Sequence, residues 1–258
     1  MKNCFKILWA ITFVFLILFV VGCGDKEDES VDESGKDTTI ADIAFVLVKA
    51  GMFTMGSPYY ESGRYYDEIP HKITLTKDYW ISKYPITQRQ YQKVMGDNPS
   101  YFSGDNRPVE KVNWAKADDF ARRIGGRLPT EAEWEFAARG GNKSKGYIYS
   151  GSDNIEIVAW YGGISEQETH PVGELAPNEL GICDMSGNVW EWCGDRFEDY
   201  TADAVTDPAG PATGGNGYVV RGGSWYNGAP DCRIANRGGF DPLWGYDNLG
   251  FRVAFPRK

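Results

Sequence analysis

The chain has 258 residues, 42% hydrophobic and 24% charged, which is enough apolar surface for a sizeable core and excludes disorder or collagen-like repetition. Twenty-seven Lys and Arg against 36 Asp and Glu leave a formal charge of -9, so the dense basic surface that holds phosphate backbones is missing and nucleic acid is excluded as a partner. The 31 Gly, 9 Trp and 15 Tyr point to tightly turned loops anchored by aromatic packing, an α+β or loop-rich protein rather than a helical bundle.

In chain order, Lys2 and Lys6 precede an apolar run over residues 7–21, the charged and hydrophobic regions of an export signal. The run is shorter than the roughly 20 residues that span a bilayer. It ends in Val20, Val21, Gly22 and Cys23, which resembles a bacterial lipobox. That resemblance implies a signal peptide over residues 1–22, cleavage before Cys23 and lipidation of its thiol, which would anchor the chain at a membrane. Residues 24–40 carry seven acids and two lysines with almost no apolar side chain, a composition that cannot offset its ordering entropy. Residues 23–43 are therefore expected to be a lipidated acidic tether and residues 44–258 the folded domain. Taking the tether's -5 and the leader's +2 out of -9 leaves -6 on that domain, so membrane contact is expected through the lipid.

Cys183, Cys193 and Cys232 remain after Cys4 is removed and Cys23 lipidated, in a compartment that permits disulfides. One pair plus a free thiol is one outcome. Their spacing is not that of a zinc site.

Residues 45–48 and 52–55, joined by Lys49, Ala50 and Gly51, read as a hairpin, with further strands at 72–75 and 79–83. Thr87 and Gln90 form a capping box for a helix that carries Tyr91, Val94 and Met95 and stops at Gly96. Asn113 caps a second helix running to Ile124 before Gly125 and Gly126, and Thr130 with Glu133 opens a third. Glu131, Glu133 and Glu135 alternate on that third helix, a spacing that does not face the carboxylates toward each other, so they read as solvated charge. Beyond residue 141 helical periodicity gives out. Residues 219–220 and 251–255 read as strands, the last returning to an earlier sheet. His71 and His170 belong to no motif with a nucleophile or a carboxylate and read as hydrogen-bonding or surface residues.

Six motifs occur in order: Gly51-Met-Phe-Thr-Met-Gly56, Tyr84-Pro-Ile-Thr87, residues 127–139 from Arg127-Leu-Pro-Thr-Glu-Ala-Glu-Trp onward, Asp184-Met-Ser-Gly-Asn-Val-Trp-Glu-Trp192, Arg221-Gly-Gly-Ser-Trp225 and Leu249-Gly-Phe-Arg252. Together they resemble the formylglycine-generating-enzyme family. The resemblance implies a C-type-lectin-like fold of that type, α+β, with few helices, short antiparallel sheets and long irregular loops. The enzymes of the family bind copper through two cysteines about five positions apart in the last segment. Here that segment holds Cys232 alone, with Asn227 five positions before it, so no copper and no oxidase chemistry are expected. Cys232 then reads as a buried thiol or as a partner of Cys193. A copper-dependent oxidase acting on a cysteine or related substrate is the alternative.

Residues 226–248 also resemble the variable region of bacterial ligand-binding proteins diversified by retroelements, in which randomised adenines cannot yield Lys, Glu, Gln, Met or Trp. This window has none of the first four; Trp244 alone departs from the pattern. Independently of any family, Tyr226, Asn227, Gly228, Pro230, Asp231, Gly238, Gly239, Phe240, Asp241, Leu243, Trp244, Gly245, Tyr246, Asp247 and Asn248 mix rigid aromatics with adaptable polar and glycine positions, as paratopes do. These are the expected ligand-binding residues, for a protein or other macromolecule. Cys232, Arg233, Ala235, Arg237 and Pro242 read as the scaffold between them. The bland alternative is a Gly/aromatic loop region packed on the core. The whole is expected to be a non-catalytic lipoprotein of the cell envelope, at the outer-membrane surface.

The resemblance further implies structural Ca²⁺ bound by the Asp184 and Glu191 carboxylates and the Gly187 and Val189 carbonyls, all hard oxygen donors. The alternative is a loop in which Glu191 accepts backbone N–H groups or pairs with an arginine while Trp190 and Trp192 are core. No Glu-Pro-Asn or Gln-Pro-Asp carbohydrate tripeptide is present.

Overall fold

The computed structural model describes residues 37–215 and 217–257. The expected export signal, Cys23 and most of the expected tether lie outside the described residues. The first strand, β1 (Asp37–Ile40), falls inside the stretch expected to be tether: it forms a hairpin with β2 (Ile43–Val48) through Ala41 and Asp42, both at positive φ. Two such residues make the turn whose twist matches an antiparallel pair. The acidic composition concealed it, since backbone pairing with β2 leaves no mark in the side-chain pattern; Ile40 at its end packs against the interior.

β3 (Gly51–Met55) follows, but the expected hairpin of residues 45–48 with 52–55 does not form. β3 pairs instead with β4 (His71–Leu75), and β2 pairs with β5 (Tyr79–Ser82). Asp78 holds the corner, accepting the Ala50 N–H at 2.8 Å and the Lys49 ammonium at 3.0 Å. The three helices are α1 (Gln88–Met95), α2 (Trp114–Arg123) and α3 (Glu131–Ala138), each opened by the expected cap: Thr87, Asn113 and Thr130. Gly96 ends α1 at φ 88°, a left-handed conformation that only glycine enters without cost.

The second half supplies β6 (Trp190–Arg196), β7 (Val205–Thr206), β8 (Tyr218–Arg221), β9 (Arg237–Phe240), β10 (Leu249–Phe251) and β11 (Ala254–Pro256). Three sheets result, ordered β1-β2-β5-β11, β10-β6-β8-β9 and β3-β4-β7. They are not purely antiparallel as expected, since β10 runs parallel to β6 and β7 parallel to β4. Long connections bring these strands in from the same end. The run at 251–255 splits at Arg252 and Val253, so one part edges the β6 sheet while β11 returns to β5.

Two packed clusters fill the interior. One surrounds Trp192, Phe120, Tyr91 and Phe251; the other surrounds Trp134, Phe136, Ile73 and Ile81. Each such side chain contributes about 1.5–3 kcal/mol of burial before entropy is counted. Among the described residues no helix is long and apolar enough to cross a membrane.

Candidate ligand-binding surface

The segment that follows β8 is held from beneath by arginines. Arg221 at the end of β8 is fully buried and donates to the Ile234 carbonyl at 2.9 Å, to the Asn236 carbonyl and to the Glu135 carboxylate. Gly222 and Gly223, at φ 97° and 71°, then turn the chain; a Cβ at Gly223 would lie 2.7 Å from the Cys232 sulfur. A short helical turn, Ala229–Cys232, leads to Arg233, which pairs with Glu61 at 2.7 Å and Glu68 at 2.5 Å. At the start of β9, Arg237 donates through Nε and Nη2 to the two Glu131 oxygens at 2.8 and 2.9 Å and lies 3.8 Å over the Tyr200 ring.

Glu131, Glu133 and Glu135 are thus not solvated charge. All three are buried, and because alternate helix positions point in different directions they serve different partners. Glu131 meets Arg237 and Arg221. Glu133 pairs with Arg127 at 2.6 Å, and Glu135 pairs with Arg221 and Arg139 while accepting the Gly56 N–H at 2.9 Å. Burial pushes the Glu131 carboxyl up, but the Arg237 and Arg221 guanidiniums outweigh it and hold it below the ordinary range. Buried charges of this kind persist only when paired.

Above this frame the expected binding positions divide. Tyr226, Leu243 and Trp244 are 72%, 77% and 60% exposed, and Gly228, Pro230, Gly239, Asp241, Tyr246 and Asp247 are also exposed. Phe240 is half-buried, with its ring 6.0 Å from Trp190 and 5.7 Å from Tyr246. A depression of ≈ 310 Å³ lies between Gly239, Phe240, Asp241, Tyr246 and Asn248. Four expected positions work inside the fold instead. Asn227 Oδ1 accepts from the Trp190 indole at 2.9 Å, Asn248 donates to Ser224 at 3.2 Å, and Asp231 accepts from the Tyr65 hydroxyl at 3.0 Å. Gly245 lets the chain pass Lys111, whose carbonyl carbon would stand 2.6 Å from a Cβ there. Their polar or small side chains look the same in the sequence whether spent inward or presented outward. Half-buried Gly238 sits in β9, where a Cβ would meet Val220 at 3.2 Å. The expected scaffold residues Cys232, Arg233, Ala235 and Arg237 are buried; Pro242 is half-buried.

The loop over residues 57–69 was missed by sequence reasoning. It docks on the Ala229–Cys232 turn through the Arg233 pairs and the Tyr65–Asp231 bond, and Pro230 lies against Gly63. Its repeated Tyr-Tyr pairs were the available signal.

The expected Ca²⁺ ligands do not fit the ion as they stand. Both Glu191 oxygens accept from Arg252, at 2.6 and 2.7 Å, and one also accepts from the Trp134 indole at 2.6 Å. Asp184 accepts the Gly173 N–H at 2.7 Å, and burial pushes its carboxyl up to about 6. As it stands, this is the loop in which Glu191 pairs with an arginine. Gly187 and Val189 are buried in the same loop, where Gly187, at φ 78°, packs against the Trp160 backbone.

Copper does not fit either. Cys232 is buried with its thiol pushed up to about 12 by burial, and the position a second thiolate would occupy is the hydrogen-bonded Asn227. Cys183, Cys193 and Cys232 are all free, so the Cys193–Cys232 disulfide is not formed. His71 and His170 bond to the Ile69 and Ser165 carbonyls at 2.9 and 2.8 Å. A larger cavity of ≈ 380 Å³ lies behind the frame, near His71, Asp195 and Tyr200. Of its lining groups, Tyr200 donates to Glu131 at 2.7 Å and Asp195 accepts the Glu131 N–H at 2.8 Å, while Glu198 and Asp199 are exposed.

Three small sheets, three short helices and long ordered loops, with the last strand closing on the first sheet, define a C-type-lectin-like domain. The family model for the sulfatase-modifying factor enzyme 1-like domain matches residues 31–256, and the chain belongs to this formylglycine-generating-enzyme family. It is 34% identical over 274 residues to the "Chaperone protein LppX" of Paenibacillus barcinonensis, covering 84% of this chain and 90% of that one. It is 35% identical to the formylglycine-generating enzyme of Streptomyces coelicolor over 193 residues, covering 68% of this chain and 60% of that protein. Among solved structures, Treponema denticola variable protein 1 superposes with a TM-score of 0.76 at 32% identity, covering 86% of this chain and 99% of that one. PvdO from Pseudomonas aeruginosa gives 0.73 at 29%, covering 86% and 98%.

Proposed function

We propose that this protein is a non-catalytic, lipid-anchored envelope protein that binds a protein or other macromolecule through residues 226–248, and that a retroelement diversifies this surface. The observation that carries the reading is the division of labour in that window. Its arginines are buried and paired, while Tyr226, Leu243, Trp244 and Tyr246 stand in solvent, where large apolar side chains mark an interaction site. Likeness to a variable protein and to a protein named a chaperone supports a macromolecular ligand. The lipobox-like Cys23 supports anchorage, and Cys232, buried and the single cysteine of the last segment, weighs against the oxidase of the relatives.

Sequencing this locus in several isolates or passaged clones tests the reading. Substitutions confined to codons 226–248, at adenine-derived positions, are expected. A window as invariant as the rest removes diversification. Copper-dependent oxidation of a cysteine-containing peptide, lost on Cys232→Ala, would overturn the non-catalytic assignment.

A further inference from the structure

Nine of the twelve exposed large hydrophobic side chains among the described residues belong to three loops: Tyr59, Tyr60, Tyr65 and Tyr66 in one, Tyr101 in the second, and Tyr226, Leu243, Trp244 and Tyr246 in the third. Direct contacts join them. Tyr65 bonds to Asp231, Asp231 to Asn227 at 3.3 Å, and Asn227 to Trp190, which packs on Phe240 and through it on Tyr246. On another side Tyr226 touches Trp225, Trp225 touches Phe102, and Phe102 touches Tyr101, with centroids 5.0–5.6 Å apart. Tyr60, at 91% exposure, packs on almost nothing.

The charge on this surface is one-sided. Both arginines of the window, Arg233 and Arg237, are buried in ion pairs, whereas Asp241 and Asp247 are exposed. Exposed Lys111, whose N–H donates to the Tyr246 carbonyl, is a neighbouring cation, outnumbered by those two acids. In the loop over residues 57–69, Arg64 is folded back over the Tyr59 ring at 5.0 Å and bonds to Ser57 at 3.2 Å. Aromatic faces interleaved with carboxylates are the chemistry that recognises ammonium and guanidinium groups, through the ring quadrupole and ion pairing together.

We infer that the tyrosine loop over residues 58–66 is a second arm of the recognition surface, outside the diversified window, and that the surface takes a Lys- or Arg-rich segment of a partner protein. The inference rests on the binding role proposed above and names the partner's chemistry. The tyrosine arm supplies aromatic faces whatever the variable arm becomes, and Asp241 and Asp247 supply the counter-charge.

The full chain, immobilised, is used to select from a random displayed peptide library, and selected peptides are then measured against variants. Lys/Arg-rich peptides are expected. Their affinity should fall about five-fold or more in Asp241→Asn/Asp247→Asn and in Tyr60→Ser/Tyr66→Ser, and should weaken with salt. These positions are exposed, so an unchanged thermal midpoint separates lost binding from lost folding. Neutral or acidic peptides that still depend on Trp244 would overturn the cationic partner and leave the binding surface standing. Basic peptides insensitive to Tyr60 and Tyr66 would remove the second arm. No enrichment, or binding insensitive to all these variants and to Trp244→Ala, would overturn both this inference and the binding role.

Discussion

Arg233 and Glu68, 165 positions apart, meet in the interior as a two-pronged pair, Nη2 to Oε1 at 2.5 Å and Nη1 to Oε2 at 2.9 Å. Glu68 also accepts from the Ser57 hydroxyl at 2.6 Å and the Tyr65 N–H at 3.2 Å, so one carboxylate fastens the start of the tyrosine loop to the middle of the window proposed to vary. Burial pushes this carboxyl up, and the hydrogen bonds from Arg233 and Ser57 bring it below its ordinary value. Rigid anchorage of this kind would let neighbouring surface positions change without moving the fold.

Arg233→Ala should therefore destabilise the domain by about 3–5 kcal/mol, because Glu68 is left charged and buried. For a domain of this size that lowers the thermal midpoint by roughly 10 °C. The double variant Arg233→Leu/Glu68→Leu should recover much of the loss, since neither charge then remains unpaired. Thermal unfolding of the two single variants and the double variant forms a cycle that measures the coupling. Additive losses would show that the pair does not act as a unit.

Aromatic residues of the window should separate into two groups. Tyr226→Ala and Trp244→Ala remove exposed rings and should change stability by no more than about 0.5 kcal/mol while abolishing ligand binding. Phe240→Ala should cost roughly 2–3 kcal/mol, because its ring packs on Trp190, Trp192 and Tyr246. Equal melting curves for Phe240→Ala and Trp244→Ala would contradict this division.

Two glycines of the window make a sharper test. At Gly245 a Cβ would stand 2.6 Å from the Lys111 backbone, whereas at Gly228 the nearest atom is a Pro230 side-chain carbon at 3.6 Å. Gly245→Ala should cost about 1–3 kcal/mol from forced backbone movement, and Gly228→Ala close to nothing. Across isolates, position 245 should then remain Gly while 228 varies. A natural Tyr or Asn at 245 on an unperturbed fold would refute the steric assignment.

What the sequence exposes and what it hides follow from range. The caps at Thr87, Asn113 and Thr130 are readable because donor and acceptor lie three residues apart. The pairing of β2 is not, because Val46 finds Ile81, and a short run of apolar residues is equally compatible with the nearer β3. The mistaken solvation of Glu131 and Glu135 has the same origin: Arg221 and Arg237 lie 86 to 106 positions away, and only the tertiary fold brings them in, whereas Arg139, four positions after Glu135, was the one partner within local reach. Within the candidate site, outward Tyr226 and Trp244 were legible from composition. Inward Asn227 and Asn248 were not, since an amide that binds a ligand and one that binds an indole leave the same letter.

Stability should fall as pH rises from about 5 to 8, a direction set by the buried carboxyls Glu110 and Asp195, with Asp184, pushed up to about 6, adding to it at the lower end. Glu110 accepts the Phe102 N–H at 2.8 Å through one oxygen, while its other oxygen is buried without a partner, and burial pushes its carboxyl up to about 7. Asp195, buried beside Glu131, is pushed up to about 8. Each holds a proton in the folded state that it has lost in the unfolded one, above the ordinary carboxylate values of 4.5 and 3.8. The folded state thus binds more protons between those values and pH 7 or 8, and linkage makes stability decline across that window. Lowered carboxylates such as Glu131 and Glu68 act oppositely, and their contribution is lost only as pH drops below the ordinary range. The midpoint should accordingly peak near pH 5. Glu110→Gln keeps the acceptor for Phe102 but cannot ionise, so it should reduce the decline between pH 5 and 7, leaving the part that Asp195 causes across the whole range up to about 8 and the smaller part that Asp184 causes up to about 6. Melting curves at half-unit steps check both claims: a wild-type midpoint as high at pH 8 as at pH 5, or an unaltered slope in the Gln variant, would remove Glu110 from the account.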